Sequence, residues 1–291
     1  MRKCRRGTPR CVRRLCEKMV LGKKGPGCAI ELRNLDSEKL NSAAGYKISS
    51  AYPMTHNRLP SHPEMREYLS SQLRGYGIEF GAGNSPFPVP PTVKLLYADR
   101  STTAELHERK VFASEVVQLD LQSDLESMPG IENDSLDFII ASHVIEHTTN
   151  PLRAIQSAYC KLRSGGKFLI VIPDKEATFD RSRAVTTLAH IISDFDQPTR
   201  ERDWEHYVDF FTHAFPQPDP IAAARGPFEQ NHDIHFHTWT YESFGAMVSY
   251  SQERISPWAE VWSHPRLPGP NTEGREKIWY EDLEFYFVLI K

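Results

Sequence analysis

Residues 78–83 read Ile-Glu-Phe-Gly-Ala-Gly, an apolar run that carries one acid and closes on two glycines one residue apart. Twenty residues beyond Glu79 a second acid, Asp99, ends another apolar run. Glycine permits a sharp turn and lets backbone lie against a ligand where a Cβ would clash. An acid at the end of the following strand can accept hydrogen bonds from ribose hydroxyls. A strand, a tight turn and a nucleoside site at this place constrain everything downstream.

The usual dinucleotide pattern needs a third small residue, and here that position is Pro86. Prolines 86, 88, 90 and 91 exclude an ordinary helix interior and remove N–H donors that a diphosphate would use. The carboxylate of Glu79 would repel a phosphate and welcome an ammonium group. A cofactor with a ribose and a positive charge fits these residues better than NAD or a nucleotide sugar, which remain a third reading.

Short apolar runs with polar ends continue the pattern: Val93–Asp99, Glu115–Asp120, Leu136–Ser142 and Lys167–Pro173. Between the last two, apolar residues at 152, 155, 158, 159 and 162 have helical spacing, and Gly165-Gly166 stops the helix. Alternation of this kind predicts a parallel sheet with helices on both faces, with ligands beyond the carboxyl ends of the strands. Glu79, Asp99, Asp120 and Ser142 then converge on one rim.

Several stretches carry a resemblance: Glu79-Phe-Gly-Ala-Gly83, Asp99, Leu119-Asp120-Leu121, the run Asp137 to His147 with its His-Val-Ile-Glu-His, and Leu162-Arg-Ser-Gly-Gly-Lys-Phe168. From about Tyr76 to Asp174 the chain resembles class I S-adenosylmethionine-dependent methyltransferases, in particular those acting on small molecules and glycans. The resemblance implies a doubly wound, seven-stranded, mostly parallel α/β sheet of Rossmann-like type, with a helical insertion after the fifth strand. It implies S-adenosylmethionine as cofactor, with Gly81, Ala82 and Gly83 under the methionine part and Glu79 supporting the loop and the amino end. Asp99 with Arg100 then holds the ribose, Asp120 and Leu121 border the adenine, and Ser142 completes the rim. The prolines after Asn84 depart from the family and leave open the shape of the first helix.

Thr240–Ser249 reads as a capped helix, and Trp258–Trp262 and Phe285–Ile290 resemble the family's closing hairpin. Residues 175–238 form an insertion where the fifth strand ends, which predicts a substrate-facing cap. Its segment His232-Asp-Ile-His-Phe-His237, if extended, puts Asp233, His235 and His237 on one face. Two imidazoles and a carboxylate can bind a divalent metal, but no fourth ligand is identifiable, so the expectation is no metal and a substrate-contacting histidine. Methyl transfer to a hydroxyl needs alignment and a base. His143, just past the fourth strand, is the first candidate, and His235 and His237 follow.

The 291 residues, 40% hydrophobic and 25% charged, suit one elaborated domain at 71–291 preceded by a basic tail and irregular lead-in at 1–70. No apolar run is long enough to cross a bilayer, and a cytoplasmic enzyme is expected. Ten of the 35 Lys/Arg but one of the 38 Asp/Glu fall in residues 1–24, so the net charge of -3 hides a basic tail on an acidic body. The tail suits an anionic membrane or an acidic partner; the acidic body argues against specific nucleic-acid binding. Cys4, Cys11, Cys16 and Cys28 have no C-x-x-C spacing and read as thiols in a reducing compartment. The expected function is methyl transfer to a small-molecule or glycan-like acceptor, at oxygen. The alternative is a catalytically silent module that binds the cofactor or scaffolds a complex.

Overall fold

Leu136–Ser142 forms β4, the middle strand of the sheet, and its run from Phe138 to Ala141 is wholly buried because helices or loops cover both faces. The computed structural model describes residues 61–109, 115–267 and 283–291. Described residues fall within the compact unit Leu32–Lys291. The four N-terminal cysteines and the basic tail lie outside the described residues, as do residues 1–60 of the lead-in.

Seven strands make one sheet in the order β3-β2-β1-β4-β5-β7-β6. They are β1 (Tyr76–Phe80), β2 (Lys94–Asp99), β3 (Leu121–Gln122), β4, β5 (Leu162–Pro173), β6 (Glu260–His264) and β7 (Glu284–Ile290). All neighbours pair in parallel except β7, which runs antiparallel to both β5 and β6. This is the expected doubly wound, mostly parallel α/β architecture. The order reverses at β1, with β2 on one side and β4 on the other, and such a switch point opens a crevice at the strand ends.

One face carries α3 (Pro151–Lys161), α4 (Leu188–Asp196) and α7 (Tyr241–Arg254), whose Leu152, Ile155, Ile191, Phe244 and Met247 pack with Ile139, Phe168 and Phe287. Asn150 caps α3 by accepting from the Arg153 N–H, and Thr240 caps α7 by accepting from the Ser243 N–H. The other face is covered by α1 (His62–Ser71), with Met65 and Leu69 against Phe138, Leu169 and Tyr286. The irregular lead-in expected up to residue 70 therefore ends earlier. Met65 and Leu69, four apart, give one helical face, and Glu64 completes a capping box with Ser61.

No helix follows β1. The proline segment stays irregular and is tied down by the Phe87 N–H, which donates to Glu79 at 2.9 Å. The third strand also differs from expectation. Glu115–Leu119 joins no ladder, with Val117 donating to the Gly83 carbonyl, and β3 is only Leu121–Gln122. The Asp120 carboxylate accepts the Tyr97 N–H at 2.9 Å, the donor that a longer ladder would have used.

The insertion after β5 folds as α4, α5 (Arg200–Asp209), a π-helical turn at Phe210–Ala214 and α6 (Pro220–Glu229). Its own small core joins Tyr207, Phe210, Ala224, Ile234 and Phe236. Among the described residues no helix is long and apolar enough to cross a membrane.

Candidate active site

A cavity of about 940 Å³ opens beyond the carboxyl ends of β1, β2 and β4. Phe80 and Gly81 line it from β1, Asp99 and Arg100 from β2, Ser123–Glu126 from the turn after β3, and His143, Val144 and His147–Thr149 from the turn after β4. Residues 230–233 of the insertion close the remaining side. Its volume is that of a site for a drug-sized ligand.

Gly81 makes the crevice possible. Its φ is +66°, and an added Cβ would lie 2.6 Å from Val144 Cγ2, so only glycine brings the two loops this close. Gly83 also has a positive φ, +54°, and its carbonyl anchors Val117, while Ala82 is buried; neither lines the cavity. Glu79 is fully buried behind the loop. Burial pushes its carboxyl up to about 7, opposed by the Phe87 N–H and by Arg66. It accepts the Phe87 N–H of the proline segment and does not line the cavity.

Asp99 lines the cavity and accepts the Ser101 N–H at 2.8 Å, which fixes its rotamer. Arg100 pairs with Asp233 at 2.7 Å, joining the end of β2 to the insertion across the cavity. Asp120 and Leu121 do not line the cavity. Asp120 is exposed and turned back onto Tyr97, and the wall expected of this pair is made by Ser123–Glu126 instead. A two-residue strand shifts the turn along the chain, a displacement that apolar periodicity could not reveal. Ser142 is also off the wall, its hydroxyl accepting from Arg66 at 3.1 Å.

His143 stands on the wall with φ +55°, in the left-handed region that costs a branched or bulky residue energy. Its Nε2–H donates to Glu284 Oε2 at 2.8 Å. Glu284 is buried at the start of β7 and also receives Arg66, through Nε at 3.1 Å and Nη2 at 2.9 Å, and His62. Burial alone would raise this carboxyl, but His143, His62 and Arg66 outweigh it and hold it well below the usual range. Glu284, Arg66 and His62 were not legible as site residues. The one signal was an acid opening an otherwise aromatic and aliphatic strand.

Glu146 is buried and neither carboxylate oxygen has a hydrogen-bond partner; Oε1 lies 3.8 Å from His143 Nδ1 and 3.9 Å from His147 Nε2. His147 lines the cavity, and its Nδ1–H donates to the Ile234 carbonyl and to Asp233, both at 3.0 Å. Burial lowers the His147 imidazole, but Asp233 and Glu146 together raise it above its ordinary value.

The two later histidine candidates do not reach the cavity. His235 Nδ1 donates to Asp180 at 2.5 Å, and Asp180 is shared with the buried Arg183. His237 is fully buried, with Nδ1 on the Thr148 carbonyl at 3.1 Å and Nε2 facing Asp194 at 3.1 Å. Burial pushes the His237 imidazole down to about 4, opposed by Asp194. The shared face expected of Asp233, His235 and His237 does not form, because the segment is irregular: Asp233 and His235 both adjoin His147, at 3.0 Å and with ring centroids 4.7 Å apart, whereas His237 turns to Asp194.

Residues 54–249 match the methyltransferase-domain family. An uncharacterized protein of Methanocaldococcus jannaschii is 26% identical over 104 residues, 36% of this chain, and the chain spans about half (47%) of that relative's length. Among solved structures, an S-adenosylmethionine-dependent methyltransferase of Thermotoga maritima, described as a possible histamine N-methyltransferase, aligns over 79% of this chain and 89% of its own, with 18% identity and a TM-score of 0.44. The plantazolicin methyltransferase BpumL, solved with S-adenosylhomocysteine, aligns over 79% and 82%, with 12% identity and a TM-score of 0.42.

Proposed function

The chain belongs to the methyltransferase-domain family, whose class I members use S-adenosylmethionine, and from that premise we propose that it methylates a hydroxyl of a small-molecule or glycan-like acceptor. The cofactor fits the residues present: a cradle at Gly81 that a Cβ would fill, an acid at the end of β2, and a cavity of adequate volume. When bound, S-adenosylmethionine supplies an electrophilic methyl group on a sulfonium, which leaves as the neutral thioether once the acceptor oxygen bonds the methyl carbon.

The observation that carries the reading is His143 on the cavity wall with Glu284 behind it. Donation from Nε2 to Glu284 fixes the tautomer and leaves Nδ1 to take the acceptor proton. Glu146, at 3.8 Å, then stabilises the imidazolium that forms. His143 is the catalytic base in this reading, and Glu284 is a positioning residue. The insertion offers Gln230, Asn231, His232 and Asp233 to the acceptor side, hydrogen-bonding groups suited to a hydroxyl-rich molecule. The basic residues 2–24 would serve a cytoplasmic enzyme as a handle for an anionic membrane or an acidic partner.

Calorimetry with S-adenosylhomocysteine, followed by a mass-spectrometric screen of hydroxyl, amine and carboxyl acceptors with labelled S-adenosylmethionine, tests this. Binding of the product and label on a hydroxyl are expected, with His143→Ala binding normally and turning over about 10²–10⁴-fold more slowly. No binding to the wild type, or label confined to nitrogen acceptors, would overturn the reading.

A further inference from the structure

Away from the cavity, four side chains of the insertion converge on one point: His190 and Asp194 from successive turns of α4, His206 from α5, and His237 from the segment before α7. One ligating atom from each lies within 4.8 Å of all the others. Nε2 of His190 is 3.3 Å from Nε2 of His206 and 3.2 Å from Asp194 Oδ2; that oxygen is 3.1 Å from His237 Nε2 and 3.8 Å from His206 Nε2. Zinc–nitrogen bonds of 2.0–2.1 Å in a tetrahedron place neighbouring ligand atoms about 3.4 Å apart. We propose that His190, Asp194, His206 and His237 bind a tetrahedral zinc ion that holds the insertion together.

The hydrogen-bond inventory points the same way. The Thr148 carbonyl can only accept, so it takes the Nδ1 proton of His237. A neutral His237 then presents the Nε2 lone pair to a carboxylate oxygen, which also has no proton to offer. His190 and His206 likewise turn ring nitrogens at each other. A cation at the centre satisfies all four groups at once. The outer shell is also in place: Arg202 donates to Asp194 Oδ1 at 2.5 Å, Asn150 donates to the Asp194 carbonyl at 2.9 Å, and Trp239 stacks on His237.

Three of the four residues are buried, and His190 and His206 also line a small cavity of about 270 Å³, which gives an ion a way in. Four protein ligands with no open position mark a structural rather than a catalytic zinc. Through His237 and Thr148 the ion would tie α4 and α5 to the turn after β4, which lines the larger cavity.

The test uses the untagged chain of 291 residues, dialysed against micromolar zinc and then against buffer. Metal analysis by mass spectrometry should find bound zinc in the wild type and one equivalent less in His206→Gln and Asp194→Asn. Cobalt in place of zinc should give the intense visible bands of a tetrahedral ion, and these should disappear in the same variants. His190→Gln, altering the partly exposed ligand, guards against loss of folding, which circular dichroism monitors. His264→Ala should keep the equivalent, because His264 lies on β6, bonds the Pro265 carbonyl and belongs to no cluster of potential ligands among the described residues. A wild type that holds no zinc, variants that keep the full equivalent, or cobalt with a weak octahedral spectrum would overturn the proposal.

Discussion

Glu284 Oε2 lies 2.8 Å from His143 Nε2 although 141 residues separate them, so one imidazole of the β4 turn is aimed by a carboxylate of the last strand. Replacing Glu284 with Gln should lower kcat about tenfold to hundredfold while leaving S-adenosylhomocysteine affinity nearly unchanged, because orientation and tautomer suffer but the cofactor wall does not. The half-buried Arg66 loses its charge partner, so the melting temperature should also fall. An unchanged kcat with the lower melting temperature would reduce Glu284 to a purely structural role.

Asp99 lines the cavity and holds the Ser101 N–H through one oxygen. Asp99→Asn can retain that bond while removing the charge, so it separates loop support from ligand contact. Loss of a charged hydrogen bond to ribose, about 1.5–3 kcal/mol, should weaken S-adenosylhomocysteine about 10–100-fold in calorimetry. Equal affinities in the two proteins would place the ribose elsewhere.

Gly81→Ala meets two obstacles, the positive φ and the 2.6 Å approach to Val144. We expect a loss of about 1–3 kcal/mol in chemical denaturation together with weaker product binding. Adding Val144→Ala should recover part of the loss, by removing the clash, and not all of it, because the backbone cost remains. Full recovery would show that φ is immaterial there.

Glu79 titrates near 7 in the folded protein because burial disfavours its charge. Below about pH 4.3 the group is protonated in both states and contributes nothing; between there and 7 the folded state holds the extra proton. Its contribution to stability therefore falls as pH rises through this window. Glu79→Gln should gain stability relative to wild type at pH 8 and show little gain at pH 4.5, as followed by thermal melts. Glu284, held well below the usual range, has the opposite sign: its contribution is present at neutral pH and is lost on acidification.

The sheet was legible because parallel strands buried on both faces read as unbroken apolar runs, and Leu136–Ser142 and Lys167–Pro173 are such runs. The glycine turn and Asp99 were legible for a related reason, since backbone geometry there admits few residue types. The β3 region was not, because Asp120 takes a ladder donor with its side chain and ends the pairing early. Nor could spacing show that His235 and His237, two residues apart, enter separate clusters; Asp180 and Asp194, far away in sequence, decide that. The anchor of His143 was hidden for the same reason, being a contact between α1, β4 and β7 that no local pattern records.

That anchor has a consequence for how the enzyme comes into being. Ribosomes deliver a chain from its amino end, and His143 is made long before Glu284. Until β7 inserts between β5 and β6, the imidazole lacks the Glu284 carboxylate, while the residues of the glycine turn and Asp99 have already been made. In the proposed mechanism, pairing of β7 with β5 and β6 is then the step that completes the base.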